Sequence, residues 1–120
     1  MKAKDIYKNY DKRVQDYMQN VIDCLIQDYK NIPSSWRISL DLIAMNADLI
    51  FKAQDDLNKN GLLRTDDLKR TFKNQNFQIL MNAQTAIVKL LSTFGLTPMS
   101  KSKLKNFNSE ELNIEDLIND

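Results

Sequence analysis

The chain has 120 residues, 42% of them hydrophobic and 28% charged, with a formal net charge of +1, a balance that fits one compact, soluble domain with tails rather than a disordered polymer. It contains no histidine, which removes Ser-His-Asp and Cys-His arrangements together with the commonest general base and zinc nitrogen ligand. Gly61 and Gly95, the only two glycines, cannot build a phosphate-cradling loop of the GxxxxGK(S/T) or GxGxxG type, so a non-enzymatic protein without a cofactor is expected.

The N-terminal stretch MKAKDIYKNYDKR is charged with no apolar run behind it, and no segment approaches the ~20 apolar residues that span a bilayer. A soluble, intracellular protein is expected. Over residues 4–30 apolar side chains recur at Tyr7, Val14, Met18, Val21 and Leu25, with Ile22, Ile26 and Tyr29 beside them, a spacing that predicts one helix or two short ones. The single Cys24 lies in the apolar run VIDCLI and reads as a buried small hydrophobe in a reducing compartment. Pro33 disfavours helix at Ile32, and Ser34 or Ser35 offers a cap for a new helix that starts near Trp36.

That helix is predicted over residues 36–60. Trp36, Leu40, Ile43, Ala47, Ile50 and Leu57 follow a 4-3-4-3 rhythm broken only by Gln54, while Leu42, Leu49 and Ala53 form a second stripe beside it. Residues 61–73 read as a connecting loop with room for a short turn of helix from Asp66 after a Thr65 cap; strand-like alternation and glycine-marked hairpin turns are missing throughout. Residues 74–104, NQNFQILMNAQTAIVKLLSTFGLTPMSKSKL, predict a helix capped by the side chain of Asn74 or Asn76 and stopped by Gly95 in the left-handed conformation, with Leu96 and Pro98 completing the stop. Its seams are Phe77, Leu80, Ile87, Leu91 and Phe94 around Gln84, and Ile79, Ala83, Ala86 and Leu90. The two long helices most simply form an antiparallel hairpin, each about 30 Å or more in length at 1.5 Å per residue.

One hairpin partner cannot cover both stripes of each helix. A chain with few other apolar segments leaves Leu42, Leu49, Ala53, Ile79, Ala83, Ala86 and Leu90 for another subunit, and oligomerisation follows. Filling of both faces within a monomer, by the N-terminal helix and the C-terminal tail, is the competing reading.

Charge is polarised along the chain. Residues 61–109 hold eight Lys/Arg against two Asp, whereas residues 110–120 hold five acids and no base. Such clustering is the electrostatic footprint of DNA binding, and it nominates Lys101, Lys103 and Lys105, with Arg64, Lys69, Arg70 and Lys73 as a second group. A solvated linker would carry the same lysines. Lys2, Lys4, Lys8, Lys12 and Arg13, interleaved with Tyr7, Tyr10 and Tyr17, are also compatible with a nucleic-acid surface, although tyrosines so spaced are more often a packing face. The acidic pairs Asp55/Asp56, Asp66/Asp67 and Glu110/Glu111 lack converging partners for a metal and read as solvated or capping residues. The tail NSEELNIEDLIND has Asn108 three residues before Glu111, a weak capping box, and then Leu112, Leu117 and Ile118 among acids. It reads as a short helix that docks in a partner's groove or, within the chain, shields the basic loop.

The order of SSWRISLDLIAMNADLIFKAQDDLNKNGLL and of a final core helix ending in Gly95, Leu96, Thr97 and Pro98 before a Ser/Lys segment resembles the core of phage terminase small subunits over roughly residues 35–105. Members similar to this one usually open the final helix with Asn-Pro; here Asn74 is followed by Gln75, which keeps the cap and loses the pre-set backbone angle. The resemblance implies an all-α protein of the host cell cytoplasm, built as a helical hairpin and assembling into a ring. It implies three partners: double-stranded viral DNA at the packaging site, further copies of itself, and the terminase large subunit that carries ATPase and nuclease. A phage satellite could encode the same type of subunit. The organisation expected is an N-terminal helical segment at 1–33, a hairpin oligomerisation core at 34–98, and a basic linker with an acidic, flexible partner-docking tail at 99–120. A helical transcription regulator or antitoxin-like adaptor remains the alternative, separable by stoichiometry because regulators are usually two-fold dimers.

Overall fold

The computed structural model describes residues 1–65 and 68–105. The chain runs through α1 (Ala3–Ile6), α2 (Lys12–Tyr29), a 3-10 turn at Ser34–Trp36, α3 (Arg37–Asn60), strands β1 (Leu63–Thr65) and β2 (Thr71–Lys73), α4 (Gln75–Thr93) and α5 (Pro98–Lys105). It is mostly helical. The boundaries follow local chemistry: the Asp11 side chain accepts from the Val14 N–H at 3.2 Å and caps α2, and Lys30 in the left-handed region ends it. Beyond Pro33, α3 is entered through the 3-10 turn, with the Trp36 N–H donating to the Pro33 carbonyl at 3.0 Å. The serine cap expected there is replaced by this backbone turn, as the residue at the N-cap position is Trp36 and makes no side-chain cap bond.

Direction is fixed by contacts at both ends. The Trp36 ring lies 5.0 Å from Phe94, while Asp56 accepts from the side chains of Asn74 and Asn76 at 2.7 and 2.9 Å, so α3 and α4 lie alongside each other in opposite directions. Arg13 bonds Asp55 and the Tyr29 ring lies 5.3 Å from Trp36, which sets α2 antiparallel to α3. The Thr97 N–H donates to Asp28 at 3.0 Å and the Tyr17 hydroxyl to the Leu104 carbonyl at 3.0 Å, so α5 returns along α2.

The core consists of Val14, Met18, Val21, Ile22 and Leu25 from α2, Leu40, Ile43, Ala47, Ile50 and Leu57 from α3, and Leu80, Ile87 and Leu91 from α4. Each large aliphatic side chain removed from water contributes about 1.5–3 kcal/mol. Gln54, which interrupts the α3 seam, is buried with it, and its Oε1 has no partner in the described structure. Cys24 is buried.

Residues 61–73 differ from the expected loop with a helical turn. β1 and β2 pair antiparallel with Leu63 opposite Lys73, Arg64 opposite Phe72 and Thr65 opposite Thr71; Asp66 and Asp67 lie outside the described residues. The cause is Asn74, whose backbone N–H donates to the Leu62 carbonyl at 2.6 Å and draws the two arms to strand spacing. Residues 99–105, expected as the start of a basic linker, belong instead to the helix α5, with Leu104 and Ser100 buried. The tail helix expected from Asn108, with Leu112, Leu117 and Ile118, lies outside the described residues.

Asn74 is 1% exposed, and its side chain bonds Asp56, the Gly61 carbonyl and the Asn76 N–H. Asn74→Ala removes a helix cap and leaves the partly buried Gly61 carbonyl short of a donor, so urea unfolding should show a loss of about 2 kcal/mol. An unchanged midpoint would mean that Asp56 and Gly61 find other partners.

The guanidinium of Arg13 donates to both Asp55 oxygens at 2.8 Å and holds that carboxyl below its ordinary value of 3.8. A depressed folded value gives stability that is present at neutral pH and lost as pH falls below about 4. Because both partners are partly exposed, the effect is about 0.5 kcal/mol. Thermal melts of Asp55→Asn should fall less steeply than the parent's below about pH 4.

Candidate nucleic-acid and assembly surfaces

The sequence Gly95-Leu96-Thr97-Pro98 forms the joint that positions α5. Gly95 adopts φ +62, where a Cβ would meet the Tyr29 hydroxyl at 3.0 Å. That hydroxyl donates to the Phe94 carbonyl and lies 2.7 Å from the Gly95 carbonyl, capping the end of α4 from α2. Leu96 is buried, and Thr97 then caps α5 by accepting from the Ser100 N–H at 3.2 Å, with Pro98 at the first helical position, where its missing N–H costs nothing. The motif therefore starts a helix as well as stopping one.

On α5, Lys101 is half-buried and Lys103 exposed. Two residues apart on a helix, they leave on opposite flanks of the buried Ser100 and Leu104, so Lys101 and Lys103 face different sides of α5. The side chain of Lys105 lies outside the described part, as does that of Arg64. Lys69, Arg70 and Lys73 are exposed on the β-hairpin, with Lys69 in the left-handed region at φ 60 and the Lys73 Nζ 4.6 Å from the centre of the Phe77 ring. The two basic groups sit apart, one beside α2 at Asp28 and Tyr17, the other beyond the Asp56 and Asn76 end of the long helices.

A third basic surface combines residues that stand out in the sequence only by composition. Lys2, Lys4 and Lys12 line one groove of about 570 Å³ together with Gln15, Asp16 and Gln19. Gln15 donates to the carbonyls of Tyr7 and Tyr10, and Gln19 accepts from the Ala3 N–H at 2.8 Å, which folds α1 back onto α2 and brings the lysines together. Burial and a hydrogen bond to Asp41 push the Tyr7 phenol well above its ordinary value, so it stays a neutral donor.

Other cations are already matched by the chain's own acids. Arg13 is paired with Asp11 and Asp55 and lies over the Phe51 ring, Arg37 bonds Asp41 at 2.9 Å, and Lys52 bonds Asp48 at 2.9 Å. Each of the three is held above its ordinary value by its carboxylate. Among the described residues no cluster of three or more acids or thiols is placed to hold a metal ion.

The apolar residues expected at a subunit contact divide into two sets. Ala53 and Ala83 are 1% and 3% exposed and belong to the chain's own core, whereas Leu42, Leu49 and Ile79 are 38%, 42% and 39% exposed. Ala86 and Leu90 are half-buried. Two residues not anticipated complete an outer stripe on α3: Ile38 and Met45, 73% and 47% exposed, continue the row as Ile38, Leu42, Met45 and Leu49 at 4-3-4 spacing. That spacing was available as a signal, since it repeats the rhythm of the inner seam. Met81 of α4 is also exposed.

Among the described residues no helix is long and apolar enough to cross a membrane. A family model described as phage terminase, small subunit, matches residues 25–111, well over half of the chain, from the end of α2 through α5 and beyond. No curated protein and no solved structure gives a match.

Proposed function

The chain belongs to the phage terminase small subunit family, and we propose that it binds viral DNA at a packaging site, assembles into a ring and regulates the large subunit that carries the ATPase and nuclease. Its own part is regulatory and non-catalytic. The observation that carries the reading is the outer stripe of α3, four large apolar side chains in helical register left in water by a chain whose inner seam is already filled. A stripe on a straight helix offers a second copy a self-complementary or head-to-tail contact, and only the latter closes into rings of more than two subunits. The α5 lysines and the hairpin bases supply the phosphate contacts. The acidic tail, with Leu112, Leu117 and Ile118, supplies the docking segment for the large subunit.

Because Leu49 lies outside the single-chain core, Leu49→Glu should dissociate the assembly and leave the helical circular dichroism intact. Native mass spectrometry at micromolar concentration should show the parent as a closed oligomer and the variant as a monomer. A monomeric parent would overturn the ring, and a two-fold dimer would favour a transcription regulator.

DNA affinity should fall steeply with salt. Reversing Lys101, Lys103 and Lys105 to Glu should weaken binding to all sequences alike and flatten the salt slope by about 0.9 for each phosphate no longer neutralised. Arg13→Gln, Arg37→Gln and Lys52→Gln should leave that slope unchanged, because their charges are already matched internally. A triple reversal that binds like the parent would move the DNA surface to the hairpin or to the Lys2, Lys4 and Lys12 groove.

A further inference from the structure

The β-hairpin is a short and largely uncovered element. Every residue of β2 is exposed, Leu63, Leu68 and Phe72 are 62%, 72% and 46% exposed, and among the described residues two strands of three residues have no third strand to pack on. A lone two-stranded ribbon is marginal in water and normally needs a covering element. The same ribbon carries the exposed Lys69 and Lys73 beside those apolar side chains, a surface that an apolar and acidic segment complements.

One segment of this chain has that chemistry. Residues 110–120 hold Leu112, Leu117 and Ile118 among five acids and no base. Its attachment point also faces the right way: α5 starts beside Asp28 and ends beside Tyr17, running toward the end of the bundle where Arg13 meets Asp55 and where α3 leads into the hairpin. The rise along α2 from Tyr17 to Arg13 and along α3 from Asp55 to Gly61 is about 15 Å. The six residues 106–111 that lead to Leu112, the first of the apolar side chains, can span about 20 Å.

We propose that residues 110–120 dock on the β-hairpin of the same chain, setting Leu112, Leu117 and Ile118 against Phe72 and Leu68 and the carboxylates against Lys69 and Lys73. The contact is amphipathic, so neither charge nor apolar area alone makes it. It stands apart from the DNA reading; only its consequence rests on that reading, namely that phosphates displace the carboxylates from Lys69 and Lys73 and free the tail for a protein partner. The Lys2, Lys4 and Lys12 groove also attracts acids, but it offers no large apolar side chain to the leucines.

The test is carbodiimide coupling of carboxylates to amines in the full chain without DNA at about 0.15 M salt, where the Debye length is about 8 Å and only close pairs persist. Equal amounts of normal and nitrogen-15-labelled chain are mixed, and peptides are read by mass spectrometry. Acids of residues 110–120 should couple to Lys69 or Lys73 within one isotope only. Phe72→Ser should reduce that coupling by roughly fivefold or more, and Leu117→Ser, placed on the tail, should do the same if the docking is apolar as well as ionic. Coupling confined to Lys101, Lys103 and Lys105, coupling to Lys2, Lys4 or Lys12 instead, coupling across isotopes, or coupling undiminished in both serine variants would each overturn the proposal.

Discussion

The carboxylate of Asp56 decides where the chain turns back. It accepts from the side chains of Asn60, Asn74 and Asn76, and hydrogen bonds to an ionised acceptor are about twice as strong as those between neutral groups. Asn74 adds the Gly61 and Leu62 carbonyls to the same knot. With that end tied, the register of α3 against α4 follows, and with it the identity of the residues that face inward. The outer row of Ile38, Leu42, Met45 and Leu49 is outward because Leu40, Ile43, Ala47 and Ile50 are held inward. The hairpin inherits its strand pairing from the same place.

The opposite end is closed by different chemistry. There Tyr29 reaches from α2 to the carbonyls of Phe94 and Gly95 just past α4, its ring edge-on to Trp36, while Thr97 and Ser100 reach back to Asp28. Three helices meet through one glycine and one tyrosine. This explains why a glycine, a buried leucine, a capping threonine and a proline occur in that order: each solves a separate local problem in changing direction twice within four residues.

The helical layout was legible in the sequence wherever local chemistry sets it. Asn74 and Gly95 sit at the two ends of α4, Pro33 separates α2 from α3, and the rhythm from Leu40 to Leu57 marks the buried seam. Three features depend on contacts that no local pattern encodes. The strands at 63–65 and 71–73 have no alternation of apolar and polar residues and exist because the Asn74 N–H bonds Leu62. α5 is too rich in Ser and Lys to announce itself and is held by Asp28 and Tyr17, about 70 and 87 positions earlier in the chain. The second stripes were split because alanine leaves little to expose: Ala53 and Ala83 fit between the helices, while the leucines beside them do not. Of the candidate site, the basic residues were legible as a set, and their division into separate surfaces was not.

Trp36 stands at the meeting of α2, α3 and α4, its ring 5.3 Å from Tyr29 and 5.0 Å from Phe94. It is the only tryptophan in the chain. The protein thus carries its one indole, the fluorophore that can be excited apart from the tyrosines, at the joint from which α5 departs, with the charged knot at the other end of the helical pair. A change in tryptophan emission wavelength would therefore report loosening of that joint, with no indole signal arising from the hairpin or the charged knot.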